Sequence, residues 1–217
     1  MTTWMTRERI DLGPVRLDGD LTLPEHATGV VLFAHGSGSS RHSPRNRQVA
    51  AELNRRGLAT LLTDLLTADE DAIADLRFDI GLLADRLTAL IDWLRAQPQT
   101  AALPIGLFGA STGGGAALVA AADRPEAVHA VVSRGGRPDL AGPALLEVRA
   151  PTLLIVGERD TVVVDLNEEA RNTMRIRAEL RIVPGATHLF QEPGALDTVA
   201  EEAGHWFAAH LSAAMTR

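Results

Sequence analysis

The amino-acid sequence predicts an α/β fold, a doubly wound and mostly parallel sheet of about seven to eight strands with helices on both faces. Short runs that are apolar throughout, such as "GVVLFAHG" and "PTLLIVG", alternate with longer segments of helical periodicity. Strands without a polar face are typical of parallel sheets that helices cover on both sides. The segments "RERIDL" and "VRLDGDLTLP" instead alternate polar and apolar residues around Gly13 and Pro14, which predicts an antiparallel hairpin at one edge.

The remaining elements follow in a regular order. After "GVVLFAHG", a polar loop leads to a helix that begins near Pro44, and Gly57 ends this helix before the strand "LATLLTD". An amphipathic helix is predicted over residues 78–96, and "IGLFGAS", an alanine-rich helix and "AVVSRGG" come next. "PTLLIVGERD", a helix over residues 165–175, "AELRIVPGATH" and a helix over residues 194–211 complete the pattern. Because no repeat or linker interrupts it, we expect one domain over residues 1–217.

Composition narrows the classes of function. The formal net charge of −7, with no basic block, argues against nucleic acid and against anionic membrane surfaces as partners. No segment has the length and apolarity of a signal peptide or a membrane span, so a cytoplasmic protein is expected. The absence of cysteine and lysine excludes thiolate sites, Schiff bases and Walker-type phosphate loops. The seven histidines show no paired spacing with carboxylates, so neither a metal nor another cofactor is expected.

The glycine-rich stretch "IGLFGASTGGGAALV" carries the strongest motif. Its pentapeptide "GASTG", Gly109 to Gly113, matches the G-x-S-x-G turn that exposes a nucleophilic serine between a strand and a helix. Its glycines also match the phosphate loop of short-chain dehydrogenases. That loop, however, follows the first strand and accompanies a tyrosine–lysine pair, and this chain contains neither residue. Taken alone, the motif also fits a turn that only joins strand and helix.

Candidate partners for Ser111 lie further along the chain. A serine hydroxyl needs a neighbouring base, and a carboxylate must hold that base in the correct tautomer. Asp160 follows the strand "PTLLIVG" and His188 follows "LRIV", so both are expected at the carboxyl edge of the sheet, in the order serine, acid, histidine. Glu158 and Asp165 are alternative acids. The other histidines lie in polar loops, in the last helix or at the opposite edge.

Donors for a developing oxyanion are expected beside the serine. The backbone N–H of Thr112, the residue after the nucleophile, is one predicted donor. The second is predicted in the small-residue loop "HGSGSS", from the N–H of Ser37, with Gly38 as the alternative. We expect His35 to organise this loop by hydrogen bonding rather than to take part in catalysis.

The motifs "HGSGSS", "GASTGGG", "GERD" and "PGATH", in this order, resemble those of the α/β-hydrolase superfamily over nearly the whole chain. The sequence is most similar to the dienelactone-hydrolase-like branch. The resemblance implies the α/β-hydrolase fold and a catalytic triad of Ser111, Asp160 and His188. Dienelactone hydrolases proper use a cysteine nucleophile, so the serine here separates this chain from them and leaves the lactone substrate open.

These residues predict a serine hydrolase that cleaves small carboxylic esters or lactones through an acyl-enzyme. Thioesters, activated amides and a binding protein without turnover are the alternatives. The connection over residues 135–150 is short, which predicts an open cleft without a large cap domain. Arg134 closes a strand beside this cleft and is a candidate for binding a substrate carboxylate. Arg41, Arg45 and Arg47 are further candidates, although solvation or pairing with the acidic stretch after "LATLLTD" is equally compatible with each. Oligomeric state is left open.

Overall fold

The computed structural model of the chain describes residues 2–214. Its eight strands, in chain order, are β1 (Thr3–Asp11), β2 (Arg16–Pro24), β3 (Val30–Ala34), β4 (Ala59–Thr63), β5 (Ile105–Ala110), β6 (Val128–Arg134), β7 (Thr152–Gly157) and β8 (Ala178–Val183). They form one sheet in the order β1-β2-β4-β3-β5-β6-β7-β8. From β4 to β8 all neighbours are parallel, whereas β1 and β2 are antiparallel additions at one edge. The predicted sheet and its leading hairpin are therefore confirmed.

Six α-helices connect these strands: α1 (Pro44–Arg55), α2 (Ala68–Asp71), α3 (Ile80–Ala96), α4 (Thr112–Asp123), α5 (Thr161–Thr173) and α6 (Ala195–Ala214). Two 3₁₀ segments, Ala74–Phe78 and Pro138–Leu146, lie between them. The prediction for α5 was wrong at its start, which comes four residues earlier than expected. Three successive β-branched residues, Val162 to Val164, disfavour a helix by propensity. Packing of Val163 and Ala170 against the sheet outweighs that preference.

The helices cover the sheet on both faces. One face packs against α3, α4 and the Pro138–Leu146 segment, with Leu87, Leu90 and Leu118 fully buried. The other face packs against α1 and α6, whose Phe207 is also fully buried. Burying a side chain of this kind contributes roughly 1.5–3 kcal/mol to stability. Because an apolar layer covers each face of the sheet, the central strands β3, β5 and β7 are buried on both faces and are almost entirely apolar.

The connection between β6 and β7 stays short. Its 3₁₀ segment, Pro138–Leu146, consists of two turns on either side of Gly142, which has φ of 51°. The segment packs on α4 and α5, and no large cap domain is inserted here. The carboxyl ends of β3, β5, β6, β7 and β8 consequently meet at one uncovered edge of the sheet, where ligands bind in folds of this class. None of the helices within residues 2–214 combines the length and apolarity needed to cross a membrane.

Candidate active site

Ser111 lies at the sharp turn between β5 and α4. Its backbone has φ of 52° and ψ of −123°, a conformation that residues other than glycine rarely adopt and that persists only when its surroundings enforce it. Three backbone hydrogen bonds do so. The Ser111 N–H donates to Arg134 O at 3.3 Å, and Ser111 O accepts from the N–H of Gly114 at 2.9 Å and of Arg137 at 3.0 Å.

The two outer glycines of the pentapeptide are required by close backbone contacts. A Cβ on Gly109 would lie 2.6 Å from Gly113 O, inside the first turn of α4. A Cβ on Gly113 would lie 2.3 Å from Ala34 O and 2.5 Å from His35 O, at the end of β3. Both distances are far below van der Waals contact. The turn therefore fits the sequence interpretation of a strained, exposed serine better than that of a generic strand–helix connection.

The structure brings the three predicted side chains together. His188 Nε2 lies 3.3 Å from Ser111 Oγ, and His188 Nδ1 lies 2.6 Å from Asp160 Oδ2. An ionised carboxylate only accepts hydrogen bonds, so Nδ1 carries the proton of a neutral imidazole and Nε2 is left as an acceptor. Ser111 Oγ can then donate to Nε2. This is the arrangement in which a histidine can remove a serine proton.

Loops after β7 and β8 hold Asp160 and His188 in place. Gly157 ends β7 so close to the β8 loop that a Cβ there would lie 2.5 Å from Ala186 O. The Glu158 carboxylate accepts from the Gly185 N–H at 2.7 Å. Glu192 accepts from the Thr187 hydroxyl at 2.7 Å and from the Thr187 N–H at 3.1 Å, directly before His188. Hydrogen bonding from Thr187, first from its side chain, holds the pKa of Glu192 below its ordinary value.

The alternative acids have other positions. Glu158 is engaged with Gly185, as described above, and Asp165 is exposed on α5. The sequence alone does not identify Glu158 or Glu192 as supports of the histidine loop. A carboxylate four residues after a histidine is too common a spacing to indicate such a contact.

The predicted oxyanion donors flank the same turn, but they differ in their hydrogen bonding within residues 2–214. Thr112 occupies the first position of α4, where the helix offers its N–H no acceptor. The Ser37 N–H, in contrast, donates to Thr112 Oγ1 at 2.9 Å. His35 organises the adjoining loop as expected: its Nε2 accepts from the Leu65 N–H at 3.0 Å, which leaves the proton on Nδ1, 3.0 Å from Gly36 O.

Arg134 is the most unusual charged residue beside the turn. It ends β6 and is 8% exposed, yet its Nε and Nη1 atoms have no hydrogen-bond partner within residues 2–214. Burial, and secondarily the neighbouring charge of Arg45, lowers the pKa of Arg134 to about 10. Its guanidinium lies 5.8 Å from the ring centroid of Phe190, a cation–π contact that offsets part of the desolvation. A buried cation without a carboxylate partner is a ready binding point for an anion.

Two cavities meet at this edge of the sheet. A cavity of about 250 Å³ is lined by Ser111 and His188 together with Arg45, Asn46, Arg134 and Leu189, among others. A larger cavity of about 500 Å³ lies beside it, between the leading hairpin and the end of β4, and Ser39 borders both. The smaller cavity contains the predicted nucleophile and base, Ser111 and His188. The larger one has room for a distal part of a ligand.

The three candidate arginines after the "HGSGSS" loop separate into two groups. Arg41 forms ion pairs with Asp64 and Asp18, and Arg47 pairs with Asp20, so both have protein partners. Arg45 instead lines the smaller cavity, and its buried Nε has no hydrogen-bond partner among the described residues. Of the three, Arg45 is the one that joins Arg134 at the site. Over residues 2–214, no group of histidine, aspartate and glutamate side chains is arranged to hold a metal ion.

Comparison with known proteins shows the family and the fold of the chain. The sequence model of the dienelactone hydrolase family matches residues 17–212. The chain belongs to the dienelactone hydrolase family. A solved dienelactone hydrolase from Anabaena variabilis ATCC 29413 is 58% identical, with a TM-score of 0.94 over 96% of this chain and 99% of that one. The resemblance read from the four motifs is therefore confirmed.

Two further relatives extend the comparison. A protein of Mycobacterium tuberculosis, found in strains CDC 1551 / Oshkosh and H37Rv, is 60% identical over 199 residues and carries the provisional name of a phosphoribosyl transferase. The match covers 92% of this chain but only 45% of the mycobacterial protein. Est1E from Butyrivibrio proteoclasticus shares the fold, with a TM-score of 0.81 at 17% identity, 95% of this chain and 99% of that one being covered. Family membership supports a hydrolase, and the likeness to Est1E shows the fold alone.

Proposed function

We propose that this member of the dienelactone hydrolase family is a serine hydrolase that cleaves small carboxylic esters or lactones through an acyl-enzyme. The observation that supports it most directly is the hydrogen-bonded series from Ser111 Oγ to His188 Nε2 at 3.3 Å and from His188 Nδ1 to Asp160 Oδ2 at 2.6 Å. These groups come from three separate loops at one edge of the sheet. They line an open cavity of about 250 Å³.

In acylation, Ser111 Oγ attacks the carbonyl carbon of the ester while His188 Nε2 takes the hydroxyl proton. The carbonyl π electrons move to oxygen and give a tetrahedral oxyanion. When the carbonyl re-forms, the bond to the leaving oxygen breaks and His188 returns the proton to it as an alcohol. Asp160 stabilises the imidazolium that exists between the two proton transfers.

In deacylation, water takes the place of the alcohol. His188 removes a proton from the water as its oxygen attacks the acyl carbon, and then protonates Ser111 Oγ as the acyl bond breaks. The products are a carboxylic acid and the free serine. A lactone follows the same course, except that the leaving alcohol stays attached to the acyl group until water releases a hydroxy acid.

The oxyanion requires donors placed before the reaction begins. We assign one to the Thr112 N–H, at the start of α4, where the helix dipole adds to its effect. We assign the second to the Ser37 N–H, which must exchange its hydrogen bond with Thr112 Oγ1 for one with the substrate. Each donor of this kind is worth roughly 3 kcal/mol of transition-state stabilisation.

We propose further that the preferred substrates carry a carboxylate or an equivalent anion. Arg134 and Arg45 both line the cavity with Ser111, and buried nitrogens of both have no hydrogen-bond partner in the described part of the chain. An anionic substituent would satisfy them and relieve the repulsion between the two cations. The absence of a cap domain and the size of the cavity favour small acyl groups over long-chain lipids.

The phosphoribosyl transferase name of the mycobacterial relative belongs to a protein of which this chain spans 45%. More than half of that protein lies outside the match, so its name carries no activity over to this chain. Thioesters and activated amides fit the same machinery as esters. A binding protein without turnover remains the rival from another class.

A fluorophosphonate probe and a panel of p-nitrophenyl esters test the proposal. Stoichiometric labelling of the wild type, absent in Ser111→Ala, supports the nucleophile, and hydrolysis of short acyl esters supports the substrate class. Folded wild-type protein that neither reacts with the probe nor hydrolyses any ester or lactone of the panel would favour the binding protein. Comparing neutral esters with carboxylate-bearing esters and lactones then resolves the specificity.

A further inference from the structure

Asn167 is a fully buried polar residue in α5, the helix that begins directly after Asp160. Its side-chain amide donates two hydrogen bonds. One goes to Val163 O, one turn earlier in the same helix, at 2.7 Å. The other leaves the helix and reaches Gly136 O, in the loop after β6, at 3.0 Å. The Asn167 side chain thus connects α5 to the loop after β6.

The Gly136 carbonyl belongs to a peptide group that also contacts Ser111. The N–H of the same peptide, that of Arg137, donates to Ser111 O at 3.0 Å. Because a trans peptide directs its C=O and N–H in opposite directions, one planar unit links the Asn167 amide on one side to the Ser111 carbonyl on the other. Hydrogen bonds in such a series polarise and strengthen each other. The connection runs from the acid's helix to the backbone of the serine.

The loop that makes this connection cannot fix itself. Residues 134–137 supply two of the three backbone hydrogen bonds that hold Ser111 at φ of 52°, yet their centre consists of two consecutive glycines, Gly135 and Gly136. Glycine has the largest conformational freedom of any residue, and Gly135 itself has φ of 49°. An external contact is therefore needed to keep the Arg137 N–H directed at Ser111. The Asn167 amide provides it at Gly136, next to the hydrogen bond of 2.7 Å that the Gly135 N–H donates to Ile155 O in β7.

The other end of the Asn167 side chain argues against a role in stability alone. Its Oδ1 atom is buried and has no hydrogen-bond partner among residues 2–214. An unpaired buried carbonyl oxygen is unfavourable, and an apolar side chain of similar size would avoid that cost. The presence of an asparagine at this buried position is therefore better explained by the two hydrogen bonds that its amide donates than by packing.

We propose that Asn167 is a positioning residue for the reaction. Through the Gly136–Arg137 peptide it holds Ser111 in its strained conformation, and it fixes the serine relative to Asp160, about two helical turns away at the start of the same helix. This inference rests on the proposed role of Ser111 as nucleophile.

Two substitutions separate the two hydrogen bonds. Asn167→Ala removes both. Asn167→Thr has nearly the same volume, and its hydroxyl can still donate to Val163 O within the helix, but it is too short to reach the loop. Asn172→Ala is the matched control, because Asn172 lies in the same helix and is exposed.

The decisive readout is the rate at which a fluorophosphonate probe labels Ser111, measured across pH. Since a displacement of about 1 Å can reduce a rate by a factor of about 100, we expect both Asn167 variants to lose at least tenfold in maximal labelling rate and in kcat. The midpoint of the pH profile, which reports His188, and KM should stay as in the wild type. Asn172→Ala should label at the wild-type rate.

Three results would overturn the inference. The first is wild-type labelling rates in both Asn167 variants below their unfolding temperature, and the second is full recovery in Asn167→Thr. The third needs no variant: the Arg137 amide of the wild type should exchange its hydrogen slowly, and exchange as fast as in exposed loops would contradict the connection. A wild type that is not labelled at all would instead refute the proposed nucleophile, so the two failures are distinguishable.

Discussion

The Nδ1 atom of His188 lies 2.6 Å from Oδ2 of Asp160, within the range of a charge-assisted hydrogen bond. The carboxylate can only accept, so it keeps the proton on Nδ1 and leaves Nε2 able to take the serine proton. In Asp160→Asn an amide N–H can face Nδ1 and favour the opposite tautomer. We expect kcat for p-nitrophenyl acetate to fall about 10⁴-fold, with the circular dichroism spectrum unchanged.

Asp165→Asn is the control for this experiment, since it removes the same charge from the exposed face of α5. We expect its kcat to equal that of the wild type. A loss in Asp165→Asn comparable to that in Asp160→Asn would mean that the negative charge near the site, and not the hydrogen bond to His188, is what matters.

The reactive groups are the part of the site that sequence reasoning predicts best. Ser111 and Asp160 follow continuous apolar runs, His188 lies shortly beyond the mixed strand "AELRIV", and parallel strands present their carboxyl ends at one edge. Serine, acid and histidine in this order along the chain are then enough to predict that their side chains lie close together. The glycines around Ser111 add a steric signal of their own, as the 2.3 Å approach of a Gly113 Cβ to Ala34 O illustrates.

The supporting contacts could not be predicted in the same way. Arg41 and Arg45 are equivalent in the sequence, but only the folded loop turns Arg45 towards the cavity and Arg41 towards Asp64. In the sequence, Asn167 looks like any polar residue of an amphipathic helix. Its contact with Gly136 exists only because the fold places α5 beside the loop after β6. Such contacts depend on long-range packing, for which local periodicity carries no information.

Replacing Arg134 should separate stability from specificity. Burial lowers the pKa of this guanidinium to about 10, so the charged form is penalised by on the order of 3 kcal/mol at every pH well below that value. Arg134→Met should therefore raise the unfolding midpoint by about 5 °C or more across the neutral range. It should also lower kcat/KM for carboxylate-bearing esters by at least tenfold while sparing neutral esters.

Arg47→Met removes a positive charge from the same region but from a residue that does not line the smaller cavity and pairs with Asp20. We expect it to leave the ratio of anionic to neutral ester hydrolysis unchanged. An equal loss of activity on both classes in Arg134→Met would show that the arginine shapes the site without contacting a substrate anion.

Glu192→Ala tests the two hydrogen bonds from Thr187 to Glu192, which hold the loop at His188. The variant loses both acceptors for Thr187, so the Thr187 amide should exchange its hydrogen faster and kcat should fall roughly tenfold as the imidazole becomes less well placed. Because the folded pKa of Glu192 lies below the ordinary value of 4.5, its contribution is present above that pH and is lost as the pH falls through the lowered pKa. The stability difference between wild type and variant, followed by urea unfolding, should shrink accordingly, and the neighbouring Gln191→Ala should show no difference at any pH.

Gly113→Ala tests the steric basis of the serine turn. The added methyl group would lie 2.3 Å from Ala34 O and 2.5 Å from His35 O, and both obstacles are backbone atoms that cannot rotate away. We expect a destabilisation on the order of 3 kcal/mol in urea unfolding and loss of fluorophosphonate labelling, since β3 and α4 must separate to admit the group.

Gly142→Ala is the matched comparison, because Gly142 has φ of 51° but nothing within 4 Å of an added Cβ. It should lose about 1–3 kcal/mol from a backbone conformation that alanine rarely adopts, and keep full labelling. Full labelling in Gly113→Ala would mean that the strained geometry of Ser111 does not depend on the close approach of β3 and α4.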